Sequence, residues 1–231
     1  MDAVLLFSGQ GAQKVGMGKD LYDQYPVAKA LIEQADKALG ESLSAVMFEG
    51  PGEELTRTCN CQPALYVHGL ACLAVLKELV PSLNPVAAAG LSLGEFTAHA
   101  AAGTYSFEEG LRLVQKRGAF MEEACNATKG TMAAMIGGTD ENVIKLAQEC
   151  DVDVANFNCP GQTVVSGTEE GVAKAVAGAK AAGCKIAKKL NVAGAYHSRL
   201  MHSAMVKLAE ELKNISFGTP SMPVYCNYEA R

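Results

Sequence analysis

Val86-Ala87-Ala88-Ala89-Gly90-Leu91-Ser92-Leu93-Gly94 passes from an apolar, strand-like run into a segment of helical character that opens at Leu93. Gly-x-Ser-x-Gly at a strand-to-helix corner is the pattern of a nucleophile elbow. The serine needs a strained backbone to push its hydroxyl out of the sheet, and glycines on either side remove the Cβ clashes that would forbid the turn. The helix behind it supplies free N–H groups and the positive end of its dipole, which favour developing negative charge. Five residues with two glycines also form ordinary small-residue turns. The strand before and the helix after favour the elbow.

Working outward, residues 3–7 read as a short buried strand leading into the loop Ser8-Gly9-Gln10-Gly11-Ala12-Gln13. That loop is not a nucleotide site: Lys14 stands where the dinucleotide fingerprint needs glycine, and no Gly-Lys-Ser/Thr occurs. Helical periodicity runs over 18–39. A further helix is expected after Gln62-Pro63, with Leu65, His68, Cys72, Val75 and Leu79 on one face. Ser106 with Glu109 forms a capping box that opens another. Strands alternating with helices imply a parallel sheet with helices on both faces. The stretch 128–192 differs: strand 132–136, helix 141–150, strand 152–157, strand 163–167, helix 169–182 and strand 184–190. That order, βαββαβ, is a ferredoxin-like split unit. The chain then resumes with a helix over 198–212 and a strand at 224–226. The expected architecture is therefore α/β: a large domain over 1–127 and 193–231, with a parallel sheet of the α/β-hydrolase kind, and an inserted ferredoxin-like domain over 128–192.

Composition narrows the function classes. The chain has 231 residues, 49% of them apolar and 19% charged, enough for a substantial core. A net charge of −5 argues against nucleic acid as a partner. The apolar stretches are read as too short to span a bilayer, and no basic segment with an apolar run behind it opens the chain, so no membrane is expected. Eight cysteines then read as reduced thiols of a cytoplasmic protein. Cys59-Asn60-Cys61 lacks a second pair at zinc-ligand spacing, so no metal site is expected.

Ser92 needs a base, and the chain has four histidines. His68 lies on the apolar stripe of its helix. His99 lies seven residues past Ser92 on the same helix, roughly 10 Å along the axis at ~1.5 Å per residue. His202 falls inside the 198–212 helix. His197, in Gly194-Ala195-Tyr196-His197, precedes that helix, where a loop can present an imidazole and a helix N-terminus helps keep it neutral. Its plainer role is a helix cap. Arg117 interrupts an apolar stripe formed by Leu113, Phe120 and Met121. It either snorkels into water or is a buried guanidinium that awaits a carboxylate, with no acid three or four residues away on its own face.

These residues together resemble the malonyl-CoA:acyl carrier protein transacylases of fatty-acid synthesis and the related acyltransferase domains of polyketide synthases. Phe7 to Gln13 is similar to the family's opening loop, Gln62-Pro63-Ala64 to its second signature and Gly90 to Glu95 to its serine motif. Gln115-Lys116-Arg117-Gly118 with Met121, Asn156 to Gln162, and Gly194 to Ser198 match three further blocks in order. The resemblance covers essentially the whole chain. It implies that Ser92 attacks the malonyl thioester, with His197 as general base and then acid. It implies an oxyanion hole from the backbone N–H groups of Gln10 and Leu93, each donor worth on the order of 10²–10³ in rate. Arg117 would pair with the free malonyl carboxylate, and Gln62, Met121 and Asn158 would line the cleft. The acyl group then passes to the phosphopantetheine thiol of acyl carrier protein. The resemblance requires no cofactor or metal, and a monomer is expected.

The chain departs from the family's usual pattern at Leu91, where a histidine is customary, which bears on acyl-chain discrimination. Tyr196 occupies another position that tunes it. Family members also continue for several dozen residues beyond the position of Arg231, so a product of this length is expected to be less stable and slower than a longer relative. Lys185, Lys188, Lys189 and Arg199 are candidates for a basic patch facing an acidic carrier protein. Two other readings stay open: a serine thioesterase or esterase using the same elbow, and a non-catalytic carrier-protein binder.

Overall fold

The computed structural model describes residues 1–231. From the N-terminus the chain forms β1 (Asp2–Phe7), α1 (Lys19–Gln24), α2 (Pro26–Leu39), α3 (Leu43–Glu49), α4 (Gly52–Thr56) and α5 (Thr58–Leu79). Next come β2 (Asn84–Gly90), α6 (Leu93–Ala101), α7 (Phe107–Ala127), β3 (Gly130–Ile136), α8 (Asp140–Glu149), β4 (Asp153–Cys159) and β5 (Gln162–Thr168). Last are α9 (Glu169–Gly178), β6 (Ile186–Lys189), α10 (His202–Leu212) and β7 (Val224–Tyr225). The chain divides into two units, one of Met1–Ala119 with Glu210–Arg231 and one of Phe120–Ala209.

In the first unit β1, β2 and β7 lie side by side in that order, all parallel, with Leu5 opposite Ala88 and Ala88 opposite Val224. Leu5 and Ala88 pack against Leu73 of α5 and Ala98 of α6. Helices were expected on both faces; here α5 and α6 cover the Leu5 face, while Val4 (55% exposed), Leu6 (78%) and Tyr225 (50%) stand open on the other. A second apolar cluster joins Ile32, Met47, Leu55, Tyr66, Leu93, Leu111 and Val114.

Several expected boundaries move for identifiable reasons. The single helix over 18–39 is two, α1 and α2, because Pro26 disfavours helical geometry in the residue before it and Tyr25 is extended. Pro26 itself, with its fixed φ, starts α2. α5 begins at Thr58, ahead of Gln62-Pro63, and carries Pro63 within it. Nor is α5 amphipathic as expected: Cys61 through Val67 are all buried, whereas Cys72 and Leu79 are exposed. This also corrects the membrane reading, since α5 is long and apolar enough, by length and composition alone, to cross a bilayer. Most of it is buried, as in a core helix that is apolar all round. The capping box at α7 is present: Ser106 Oγ accepts from Glu109 N at 3.2 Å, and Glu109 Oε2 accepts from Ser106 N at 3.2 Å.

In the second unit the order β3-α8-β4-β5-α9-β6 builds an antiparallel sheet with strands arranged β4-β5-β3-β6. One face, with Ala133, Met135 and Val165, packs on Val143 and Leu146 of α8 and Val172 and Ala175 of α9. The other, with Met132 and Val164, packs on Met121, Ala124, Tyr196, Met201 and Ala204. The helix expected over 198–212 is a 3₁₀ turn, Arg199–Met201, followed by α10.

Candidate functional site

Ser92 sits at the corner between β2 and α6 with φ 52° and ψ −101°. For a residue with a Cβ that region costs on the order of 1–3 kcal/mol, and it persists only where the surroundings over-determine it. They do so here by close packing. A Cβ at Gly90 would lie 2.0 Å from the carbonyl carbon of Gly94, and one at Gly94 would lie 2.2 Å from the Phe7 carbonyl oxygen. Neither position accepts any side chain, which is why the pentapeptide needs both glycines. Leu91 N donates to Phe7 O at 3.1 Å, and Gly94 N donates to Leu91 O at 2.8 Å, closing the turn.

The helical half of the corner brings chemistry to the serine. Leu93, 1% exposed, is the first residue of α6, and a helix's first N–H groups have no acceptor within the helix. The contact of Gly94 with Phe7 and Ser8 sets the loop holding Gln10 against the same corner. The Gln10 side chain donates to Thr58 Oγ1 at 3.4 Å.

Arg117 reaches this corner from α7. It is 9% exposed, which decides against the snorkelling reading. Its Nη1 donates to Gln62 Oε1 at 2.6 Å and its Nη2 to Ser92 Oγ at 3.0 Å. Phe96 lies beneath the guanidinium, 5.1 Å from ring centroid to Cζ. Burial pushes the Arg117 pKa down to about 10, partly offset by the Glu95 charge, so the group is cationic at neutral pH. The expected cation without an internal partner is thus corrected: no acid on α7 serves it, but Gln62, Ser92, Phe96 and Glu95 do. Gln62 is within reach because α7 crosses the first turn of α5 at Gly118, where a Cβ would come within 2.5 Å of Thr58 O. The arrangement leaves chemistry available. Arginine has only donors, so Ser92 Oγ accepts from it, and that bond does not use the serine's own O–H proton.

The other sequence candidates divide clearly. His197, Met121 and Asn158 belong to the second unit. His197 is exposed with φ 58°, in a loop pinned on both sides. Tyr196 before it is buried and hydrogen-bonded to Cys125. Ser198 after it donates to Ala195 O at 2.6 Å and accepts from Leu200 N at 3.2 Å, so Ser198, not His197, is the cap. Arg199 then clamps the loop to β4. Its backbone N donates to Asp153 Oδ2 at 2.7 Å, and its side chain bridges Asp153 and Asp151. Met121, 8% exposed, packs within its unit's core, and Asn158 Nδ2 donates to Gln162 Oε1 at 3.3 Å.

Of the other three histidines, two are engaged elsewhere, His99 Nδ1 lying 3.1 Å from Thr104 Oγ1 and the His68 ring against Cys72 Sγ, and His202 is exposed at the start of α10. The basic patch is likewise corrected in part. Arg199 is neutralised by two aspartates and Lys189 pairs with Glu169 at 3.6 Å, leaving Lys185 and Lys188 as exposed cations of that group. Leu91 is 51% exposed at the rim of the elbow.

Sequence reasoning missed the roles of two residues at the corner, Glu95, whose charge favours the cationic form of Arg117, and Asn227. The Asn227 side chain accepts from Ser92 N at 2.6 Å and donates to Gly90 O at 2.7 Å. No local pattern announces a contact spanning 135 positions.

Comparison with known proteins is consistent along the chain. A family model described as acyl transferase domain matches residues 4–231. A malonyl CoA-acyl carrier protein transacylase from Bacillus subtilis (strain 168) is 45% identical over 230 residues, covering 97% of this chain and 72% of the relative. The structure of the malonyl CoA-acyl carrier protein transacylase from Coxiella burnetii superposes with a TM-score of 0.94 at 37% identity, covering 98% of this chain and 73% of that one. A malonyl-transacylase solved in complex with a type II polyketide synthase acyl-carrier protein superposes with a TM-score of 0.93 at 38% identity, over 99% and 75% of the two chains.

Proposed function

The chain belongs to the acyl transferase domain family, and within it we propose that this enzyme moves a malonyl group from malonyl-CoA to the phosphopantetheine thiol of acyl carrier protein. The observation that carries this reading is the buried guanidinium of Arg117, 3.0 Å from Ser92 Oγ. A hydrolase of neutral acyl esters gains nothing from a cation at its nucleophile. An enzyme whose acyl group ends in a carboxylate gains a planar, two-pronged partner for it. The names of the relatives and the carrier-protein complex of one structural neighbour support the same substrates.

In the proposed reaction Arg117 binds the malonyl carboxylate, with Gln62 holding one arm of the guanidinium. His197 takes the proton from Ser92, and Ser92 Oγ attacks the thioester carbonyl carbon. The N–H groups of Gln10 and Leu93 carry the negative charge that develops on the carbonyl oxygen. The C–S bond breaks, CoA leaves as its thiol with the proton from His197, and malonyl-Ser92 remains. The carrier's thiol then gives its proton to His197 and attacks the ester, and Ser92 recovers its proton. Met121 and Asn158 contribute to the acyl and pantetheine path. Both halves exchange one acyl bond for another with no net electron transfer, so the reaction asks for no redox cofactor, and the proposed steps use no metal. One copy of the chain supplies every group named. We place the reaction in the cytoplasm, in fatty-acid synthesis.

For the fold we read an α/β-hydrolase-like unit carrying a ferredoxin-like one. The β2–Ser92–α6 corner on a parallel sheet supports the first, and the strand arrangement β4-β5-β3-β6 supports the second.

Intact mass after brief incubation with malonyl-CoA or acetyl-CoA tests the reading. A malonyl adduct that is lost in Ser92→Ala and is much weaker with acetyl-CoA supports it. Equal adducts from the two thioesters would leave a general acyl hydrolase or transferase. Carrier protein bound with no adduct at all would leave a non-catalytic binder.

A further inference from the structure

We propose that Asn227 is a positioning residue of the elbow, its side-chain amide acting as one more rung of the parallel sheet and so fixing Ser92 for attack. The inference rests on the reading of Ser92 as nucleophile. β2 and β7 pair through Ala88 opposite Val224 and Ala89 opposite Tyr225, with Ala88 N donating to Pro223 O at 2.9 Å. Beyond Tyr225 the backbone leaves the ladder and folds on itself, Ala230 N donating to Cys226 O at 3.0 Å. β2 continues into the elbow, where Gly90 O and Ser92 N still point the way the next rung would need. In a parallel pair, one residue accepts from the N–H after its partner and donates to the carbonyl before it. The Asn227 amide does this around Leu91: Oδ1 accepts from Ser92 N at 2.6 Å and Nδ2 donates to Gly90 O at 2.7 Å. The amide's orientation is fixed by its partners, one a pure donor and the other a pure acceptor.

A third bond ties the same residue to the helix behind the nucleophile. Asn227 N donates to Glu95 Oε2 at 2.9 Å, and Glu95 is the acid whose charge favours the cationic form of Arg117. Asn227 therefore grips the strand side, the serine itself and the helix side of one strained turn. Asparagine suits this task because its amide carries a donor and an acceptor with the spacing of a peptide group.

The experiment measures Ser92 labelling by a fluorophosphonate probe and single-turnover malonyl-serine formation from malonyl-CoA, from pH 5.5 to 8. It compares wild type, Asn227→Ala and Asn227→Asp. Asn227→Ala is expected to slow both reactions by on the order of tenfold or more, with half-saturation by malonyl-CoA unchanged. Asn227→Asp keeps the acceptor for Ser92 N but donates to Gly90 O only when protonated. Its rate relative to wild type is expected to climb as pH falls, while the Asn227→Ala ratio stays flat. Wild-type labelling rates in the folded Ala variant, or an Asp ratio that ignores pH, overturn the proposal. If the Ala variant does not fold, the near-isosteric Asp variant decides. A wild type labelled by the probe but not acylated by malonyl-CoA overturns the transacylase reading instead, and Asn227 is then judged on the probe rates.

Discussion

Arg117 Nη2 donates to Ser92 Oγ across 3.0 Å, so one guanidinium touches the nucleophile while its other arm is held by Gln62 at 2.6 Å. A cation locked by a neutral amide, over an aromatic face, keeps its charge available to an incoming anion. Removing it should therefore act on the acyl group's carboxylate rather than on the nucleophile. Charge-assisted hydrogen bonds are worth about 1.5–3 kcal/mol each, so Arg117→Ala is expected to cost on the order of 10²-fold in kcat/KM for malonyl-CoA. Transfer from acetyl-CoA should hold or rise, and Arg117→Lys should recover only part of the loss, because it restores charge without the fork. Steady-state kinetics with the two thioesters checks this. A parallel fall in both would mean that Arg117 supports the fold of the corner and not the specificity.

The clamp between Arg199 and Asp153 predicts an effect felt through His197. Arg199 is bonded to Asp153 by backbone and side chain alike, two residues after His197. Burial works to raise the Asp153 carboxyl, but the hydrogen bonds and charge of Arg199 outweigh it and hold the carboxyl below its ordinary value. Arg199→Ala is expected to lower kcat several-fold with little change in KM, and Asp153→Asn should do the same. An exposed ion pair matters little to stability, so the melting temperature should barely move. Unchanged kcat in both variants would show that the loop keeps its shape without the clamp.

Much of this site could be read from local sequence, and the reason is stereochemical. The elbow declares itself because Gly90 is demanded by Gly94 within the same turn, although what demands Gly94 is the carbonyl of Phe7 on the neighbouring strand β1. Arg117 is visible as a break in an apolar stripe for the same local reason. The long-range partners of Arg117 and Ser92 are not. Gln62 lies 55 positions away and Asn227 lies 135 from Ser92, brought close by a helix crossing at Gly118 and by the pairing of β7. The start of α5 is hidden because Pro63 resembles a first-turn proline, whereas the helix absorbs it five residues in. Burial of every residue from Cys61 to Val67 erased the periodicity that would have marked a face of α5.

The capping box of α7 offers a stability test remote from chemistry. Ser106 and Glu109 satisfy each other's backbone N–H groups at the end of the helix that carries Arg117. Ser106→Ala is expected to cost about 1 kcal/mol, read as a lower denaturant midpoint at constant slope, with kcat unchanged at 25 °C. A fall in kcat at full occupancy of the folded state would mean that the cap also sets the position of Arg117.

Two half-buried histidines lead us to expect a loss of stability on the acid side. Burial holds both His68 and His99 below the ordinary imidazole value, against the weaker opposing pull of Asp20 on His68 and Glu95 on His99. A group whose folded pKa is depressed binds protons more readily in the unfolded chain, so stability rises with pH wherever that difference operates. The contribution is complete above the unfolded value of about 6.5. It fades as pH falls below that toward the folded values. Denaturant midpoints are therefore expected to be level from pH 8 to 7 and to decline from about 6.5 to 5, before the carboxylates titrate. His99→Gln can keep a hydrogen bond to Thr104, and together with His68→Gln it should flatten the decline even though the double variant starts from a lower midpoint. A decline of undiminished steepness in the double variant would assign the acid sensitivity to other groups.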